Sequence, residues 1–188
     1  MSFFEPRKPP EPPSDPPPEP EWSGPPVGVL GGVSSLRAVL FRTEEAILVA
    51  QYFMAYPTGV EFVLQFMFRT PRSSPRGARM ILPPHNEAPE EAMQFGVQYP
   101  DGSKWTNTTV WMPRRGDEPP PAPIVFPRGG GGGDRSWRQR FWMWPLPDEG
   151  QLTFVVAWPE LGIDEQSTVI DTTDLRRAAA EAEVLWED

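Results

Sequence analysis

A strict alternation of side chains at residues 60–69 constrains the fold of this chain more than any other feature. One face of the segment would carry Val60, Phe62, Leu64, Phe66 and Phe68, and the other Glu61, Val63, Gln65, Met67 and Arg69. Successive side chains of a β-strand point to opposite faces, so the even-numbered residues are predicted to lie in a core. The turn sequence 56–59 precedes this strand, and 46–69 is therefore predicted to form a β-hairpin. Residues 46–56 are apolar at nearly every position, which is typical of a strand covered on both faces or one that shifts register.

A run of five glycines at 129–133 leads into an aromatic segment at 137–144. The run has no Lys or Ser/Thr in register for a phosphate-binding P-loop, and no helix pattern follows it as a dinucleotide-binding fingerprint requires. We therefore expect a mobile hairpin-type loop at the glycines and a strand at Trp137–Trp144.

Further short strands are predicted along the chain. Pro100-Asp101-Gly102 between strand-like runs indicates another hairpin. The remaining candidates are 36–42, 124–126, 151–158 and 166–170, and apolar residues at helical spacing predict a C-terminal helix over 172–186 with Asp171 as N-cap. Together these elements favour a single antiparallel β-sandwich of immunoglobulin-like type with a C-terminal helix.

The N-terminal 26 residues hold eleven prolines and few large apolar side chains. Such a segment is predicted to be a disordered tail with polyproline II character, and the folded domain is predicted to span 27–188. Residues 9–13 also satisfy a PxxP pattern that SH3- or WW-type grooves bind, but the pattern is weak in a chain this rich in proline, and a solvated spacer is the favoured interpretation. Residues 70–92 and 113–123 are predicted to be proline-rich loops.

Several segments resemble a family of uncharacterised actinobacterial proteins. They are 55–59, 127–133, 142–147, and 152–154 followed by Trp158-Pro159, and the resemblance extends to the proline-rich N-terminus. The family carries no assigned activity, so the resemblance implies no functional residues. It agrees with a GC-rich source genome, which 15 Arg against 2 Lys also indicates.

The composition argues against several classes of function. There is no cysteine, and His85 is the lone histidine, so thiol chemistry and a histidine-rich metal site are excluded. The carboxylate pairs Glu44-Glu45 and Glu90-Glu91 fall in turn or loop sequence, where solvated charges are the simpler reading. We expect no enzyme activity, no metal and no cofactor.

The charge and hydropathy patterns bear on partners. A net charge of −9 disfavours binding to nucleic acid. The arginines at 135–140 are interleaved with aromatic residues, however, and such a pattern can bind single-stranded nucleic acid. The N-terminus lacks a signal-peptide pattern and no apolar run is long enough for a bilayer. The expectation is a cytoplasmic protein that binds neither nucleic acid nor membrane.

The best candidate for a binding surface is the strand at 137–144. If Phe141 and Met143 point inward, Trp142 and Trp144 lie on the opposite face with Arg138 and Arg140, and Trp and Arg are typical interface anchors. The alternative is that the helix or the proline-rich loops cover the two tryptophans. The leading hypothesis is a non-enzymatic protein-binding or structural module with an unknown protein partner. The runner-up is a carbohydrate- or small-ligand-binding sandwich that uses surface tryptophans.

Overall fold

The computed structural model describes residues 19–71, 93–108 and 121–186. Within them the chain is mainly β-structure, with one α-helix and two short 3-10 turns, at Glu21–Ser23 and Pro159–Leu161. The elements are β1 (Val29–Leu30), β2 (Gly32–Val33), β3 (Ala38–Arg42), β4 (Ala46–Ala55), β5 (Val60–Phe68), β6 (Gln94–Gln98), β7 (Lys104–Thr106), β8 (Ile124–Gly132), β9 (Ser136–Trp144), β10 (Gln151–Trp158), β11 (Ile163–Asp171), α1 (Thr173–Ala180) and β12 (Glu183–Val184).

The described strands form three antiparallel sheets. The largest has the order β2-β4-β5-β9-β8, with β3 also paired to β4. A second sheet has the order β11-β10-β6-β7, and β1 pairs with β12 in a small ribbon. The two larger sheets pack face to face, which confirms the predicted sandwich with a C-terminal helix. Its immunoglobulin-like type stays a prediction.

An aromatic cluster joins the two larger sheets. Phe62 of β5 is fully buried and stacks between Phe53 and Phe141, with ring centroids 5.6 and 5.4 Å away. From the opposite sheet, Phe154 approaches Phe62 to 5.6 Å and Phe95 lies 6.5 Å from it. The even-numbered face of 60–66 is therefore core, as the alternation predicts.

The predicted hairpin at 46–69 is confirmed as β4 and β5, and it contains a register shift. Ala46, Leu48 and Ala50, all even-numbered, point into the core. The register shifts between Gln51 and Met54, and from Phe53 onward the buried residues are the odd-numbered Phe53 and Ala55. Tyr52 sits at this bulge with a φ of 56° and is 61% exposed. A bulge inserts an extra residue and reverses which parity faces the core. Of the two explanations for the apolar run, a shift of register is therefore the one that the strand adopts.

A buried tyrosine links the ends of the two sheets. Tyr99, at the end of β6, donates its hydroxyl hydrogen to the carbonyl oxygen of Pro145 at 2.7 Å, just beyond β9. Burial raises the pKa of Tyr99, so the hydroxyl stays protonated and keeps its role as donor.

The C-terminal helix is shorter than the predicted 172–186. Its N-cap is Thr172 and not the predicted Asp171, whose side chain accepts a hydrogen bond from the Thr173 amide at 2.8 Å. The helix α1 then ends at Ala180. Residues 183–184 pair with β1 instead of continuing the helix, and the Leu185 amide donates to the Gly28 carbonyl at 2.8 Å. The helical spacing of the apolar residues was misleading here because β1 offers the last residues a strand partner.

The glycine run is a strand and not the predicted mobile loop. Gly129–Gly132 belong to β8, which therefore extends well beyond the predicted strand at 124–126, and the hairpin turn is confined to 133–135. The close approach of β9 explains the glycines: a Cβ at Gly132 would overlap the Ser136 carbonyl oxygen, and one at Gly130 would lie 2.7 Å from the Arg138 carbonyl oxygen. Glycine allows this approach because it has no Cβ.

The glycines should differ in their tolerance of a side chain. We expect Gly132→Ala to lower the free energy of unfolding by about 1–3 kcal/mol through overpacking. Gly131→Ala should change it by less than about 0.5 kcal/mol, because a Cβ there meets nothing within 4 Å. Urea denaturation of both variants measures the difference. Equal losses would contradict the close strand pairing at Gly132.

Candidate protein-binding surface

The strand β9 places the four predicted interface residues on the face of the sheet away from the core. Phe141 and Met143 are fully buried in the core, so the predicted alternation is correct. Trp142 lies on the opposite face but is also 0% exposed, and Trp144 is half-buried. The prediction that this tryptophan pair is exposed is therefore wrong for Trp142.

The N-terminal segment 19–26 covers Trp142. The indole nitrogen of Trp142 donates to the Glu21 carbonyl oxygen at 3.0 Å, and Tyr56 packs edge-on against the indole at 5.7 Å. Trp22, in the 3-10 turn of this segment, is only 5% exposed. Of the predicted tail, residues 1–18 lie outside the described residues, and 19–26 are packed against the domain, contrary to prediction. Burial of Trp22 explains this packing, since a large aromatic surface leaves water.

Arg138 and Arg140, here called the arginine row, are both exposed. The sheet register sets Arg138 between Gln65 of β5 and Gly131 of β8, and Arg140 opposite Val63. Among the described residues, neither guanidinium has an acidic partner within ion-pair distance. Within the described residues, the arginine row therefore presents two positive charges without an ion-pair partner, on a chain whose net charge is −9.

Two further arginines flank the row. Arg135 lies in the turn before β9, and Arg128 lies in β8 and donates to the Ser23 carbonyl oxygen at 3.0 Å. Both are exposed. The hairpin of β8 and β9 thus concentrates four arginines within 128–140, and anions are attracted to such a cluster even when the whole protein is acidic.

The second half of β8, Gly129–Gly132, is called the glycine edge. In the described part of the chain, β8 is the last strand of its sheet and pairs only with β9. Pro127, in the first half, protects that half because proline cannot donate to a further strand. No described residue protects the glycine edge in this way, and the glycines have no side chains above the backbone.

The hydrogen-bond alternation of the hairpin shows which groups the glycine edge leaves open. The Gly133 amide donates to the Ser136 carbonyl at 2.8 Å, and Gly131 pairs with Arg138 two residues along. In an antiparallel ladder alternate residues point their N–H and C=O groups toward the partner strand. The N–H and C=O groups of Gly130 and Gly132 consequently face the side of β8 away from β9.

Arg140 of the arginine row reaches over the glycine edge. A guanidinium nitrogen of Arg140 lies 3.3 Å from the position that a Cβ of Gly129 would occupy. Since Gly129 and Gly131 have no side chains, nothing of β8 separates the arginines from the open side of the sheet. The surface therefore combines unpaired backbone groups with positive charge that extends toward them.

Sequence reasoning found the arginine row but missed the glycine edge. The nine-residue lengths of β8 and β9 are visible only in the structure. In the sequence the glycines give no strand signal, because glycine has low strand propensity.

A shallow depression lies on the outer face of the β11-β10-β6-β7 sheet. Its volume is about 340 Å³, and Gly96, Gln98, Lys104 and Glu165 are among its lining residues. Trp105 also lines it but packs against the core, so the described part of this face does not present the coplanar surface tryptophans that the carbohydrate-binding alternative requires. Among the described tryptophans only Trp186 is exposed, and it lies over Gly28 in the β1-β12 ribbon.

The other candidate residues from the sequence do not come together in a site within the described part of the chain. Glu44 and Glu45 are exposed in the turn between β3 and β4, while His85, Glu90 and Glu91 lie outside the described residues. Residues 19–71, 93–108 and 121–186 contain no group of three acidic or histidine side chains placed to hold a metal ion. None of the helices in these ranges is long and apolar enough to cross a membrane.

No protein-family model, no curated protein and no solved structure matches this chain.

Proposed function

We propose that the protein is a non-enzymatic binding module for another protein, and that the arginine row with the glycine edge is its contact surface. The observation that carries the proposal is a pair of exposed arginines that have no acidic partner among the described residues and lie beside a strand edge that those residues leave open. Arginine is enriched in protein interfaces, and unpaired strand edges are sites where other chains add to a sheet.

The buried Trp142 supports this surface indirectly. Its indole contacts Glu21 and Tyr56, and these contacts hold β9 in place next to the arginines on the same face. A binding surface on a rigid strand loses little conformational entropy when a partner docks. Trp142 is therefore a supporting residue in this proposal, and the arginines make the contact.

Charge reversal tests the proposed surface. Wild-type protein and the variant R138E/R140E are immobilised and exposed to extract from cells that naturally express the chain. Proteins retained by the wild type should be recovered at least about tenfold less on the variant, the equivalent of about 1.4 kcal/mol in binding. Their recovery from the wild type should also fall with added salt, because exposed charges are screened.

A matched control separates a local effect from a change in net charge. Arg37 and Arg42 are also exposed, and R37E/R42E changes the net charge by the same amount elsewhere on the domain. This variant should retain the same proteins as the wild type, and all three proteins should melt within about 2 °C of one another. Equal retention by all three would contradict the proposed surface.

A further inference from the structure

We infer that the partner is an extended acidic peptide segment that adds to β8 as a further strand. The inference rests on the proposed function and specifies the chemistry of the partner and the geometry of its binding. It begins from the backbone of Gly130 and Gly132, whose N–H and C=O groups face the open side of the sheet. These groups can form ladder hydrogen bonds only with another extended backbone.

The absence of side chains on the glycine edge brings the arginines within reach of such a strand. Neighbouring strands lie about 4.8 Å apart, so an added strand would run beside β8 at that spacing. Arg140 already extends over Gly129 toward the same side, and a Cβ at Gly131 would meet nothing within 4 Å. Side chains of the added strand on this face would therefore meet the arginine row across a glycine floor.

Charge selects the side chains of the peptide. Arg138 and Arg140 have no acidic partner among the described residues, and Arg128 and Arg135 add positive charge on either side. A carboxylate at every second position of the peptide would face the arginines, since alternate side chains of a strand share one face. Arginine binds carboxylates through paired hydrogen bonds, which favours this pairing over a neutral peptide.

The edge geometry favours a peptide over a nucleic acid. The open N–H and C=O groups match a peptide backbone, whereas a nucleic acid would use only the positive charge. The net charge of −9 also opposes a long polyanion more than a short segment. The glycine edge therefore favours a peptide over a nucleic acid, and the binding experiment measures both.

The test uses the full chain and a synthetic nine-residue peptide in which Glu alternates with Val or Thr, with both ends blocked. Binding is measured by isothermal titration calorimetry. The wild type should bind this peptide at least about tenfold more tightly than a version with Gln for Glu. A version of the Glu peptide N-methylated at its backbone amides keeps the charge but cannot donate the backbone hydrogen bonds to β8. It should bind at least about tenfold more weakly than the unmethylated Glu peptide.

Amide hydrogen exchange locates the bound strand. The amides of Gly130 and Gly132 should exchange more slowly when the Glu peptide is present, and Gly131, already paired with β9, serves as the internal reference. R138E/R140E should weaken binding of the Glu peptide at least about tenfold, while R37E/R42E should leave it unchanged.

Three results would overturn the inference. The first is that the N-methylated peptide binds as tightly as the unmethylated Glu peptide. The second is that a twelve-residue oligo-dT binds more tightly than the Glu peptide, and the third is that the Glu peptide does not bind at all. In the last case, if protein recovery still depends on Arg138 and Arg140, only strand addition is wrong. If that dependence is lost as well, the proposed function fails with it.

Discussion

Phe62→Ala is expected to lower the free energy of unfolding by about 3–5 kcal/mol, which is the usual range for truncating a buried phenylalanine. Phe62 is fully buried and lies at the centre of the aromatic cluster, where Phe53 and Phe141 flank its ring and Phe154 approaches from the facing sheet. Alanine would leave a cavity between the two sheets that the surrounding rings cannot fill. Urea denaturation monitored by tryptophan fluorescence measures the loss.

Tyr52→Ala is the matched control for Phe62. Tyr52 is an aromatic residue of the neighbouring strand, but its side chain is 61% exposed at the bulge of β4. Its truncation should change the free energy of unfolding by less than about 0.5 kcal/mol. Comparable losses in the two variants would show that the stability of the domain does not depend on the cluster between its sheets.

Removal of residues 1–26 is expected to destabilise the domain by about 3–5 kcal/mol, comparable to the loss of one buried tryptophan. The deletion removes Trp22, which is 5% exposed, and it uncovers the indole of Trp142 together with its hydrogen bond to Glu21. For a chain of this size each kcal/mol shifts Tm by about 2–4 °C. Calorimetry should therefore show a fall in Tm of at least about 6 °C.

Removal of residues 1–18 alone provides the comparison, because this truncation keeps the segment that contacts Trp142. Its Tm should stay within about 2 °C of that of the full chain. If the longer truncation proves insoluble, Trp22→Ala in the full chain tests the same contact and should also lower Tm. An unchanged Tm in both Trp22→Ala and the longer truncation would show that the segment 19–26 does not stabilise the domain by packing over Trp142.

The sequence predicted the strands of the sandwich wherever side-chain alternation was regular. The segments 60–68 and 151–158 are strands as predicted, the first with its even-numbered face in the core, and the Asp101-Gly102 turn joins β6 to β7 as expected. Alternation succeeds in these places because one face of each strand is buried and the other is not. The bulge at Tyr52 shows the limit of this rule, since one inserted residue exchanged the two faces.

The errors have a common physical cause, which is contact between residues far apart in the chain. The glycines of β8 form a strand because β9 approaches them closely, and residues 183–184 leave the helix because β1 pairs with them. Trp142 is buried because Trp22 and Glu21 return to its face of the sheet. The composition, spacing and alternation within a segment contain none of these partners, so they could not predict these three contacts.

The contact between Glu21 and Trp142 has a consequence for how the protein is made. The two residues are separated by 121 positions, so the N-terminal segment leaves the ribosome long before the indole that it covers. Chains are synthesised at about 5–20 residues per second, which leaves Trp22 without its site for several seconds or more. The prolines around it, Pro20, Pro25 and Pro26, keep the segment from pairing prematurely as a strand, since proline cannot donate to a sheet.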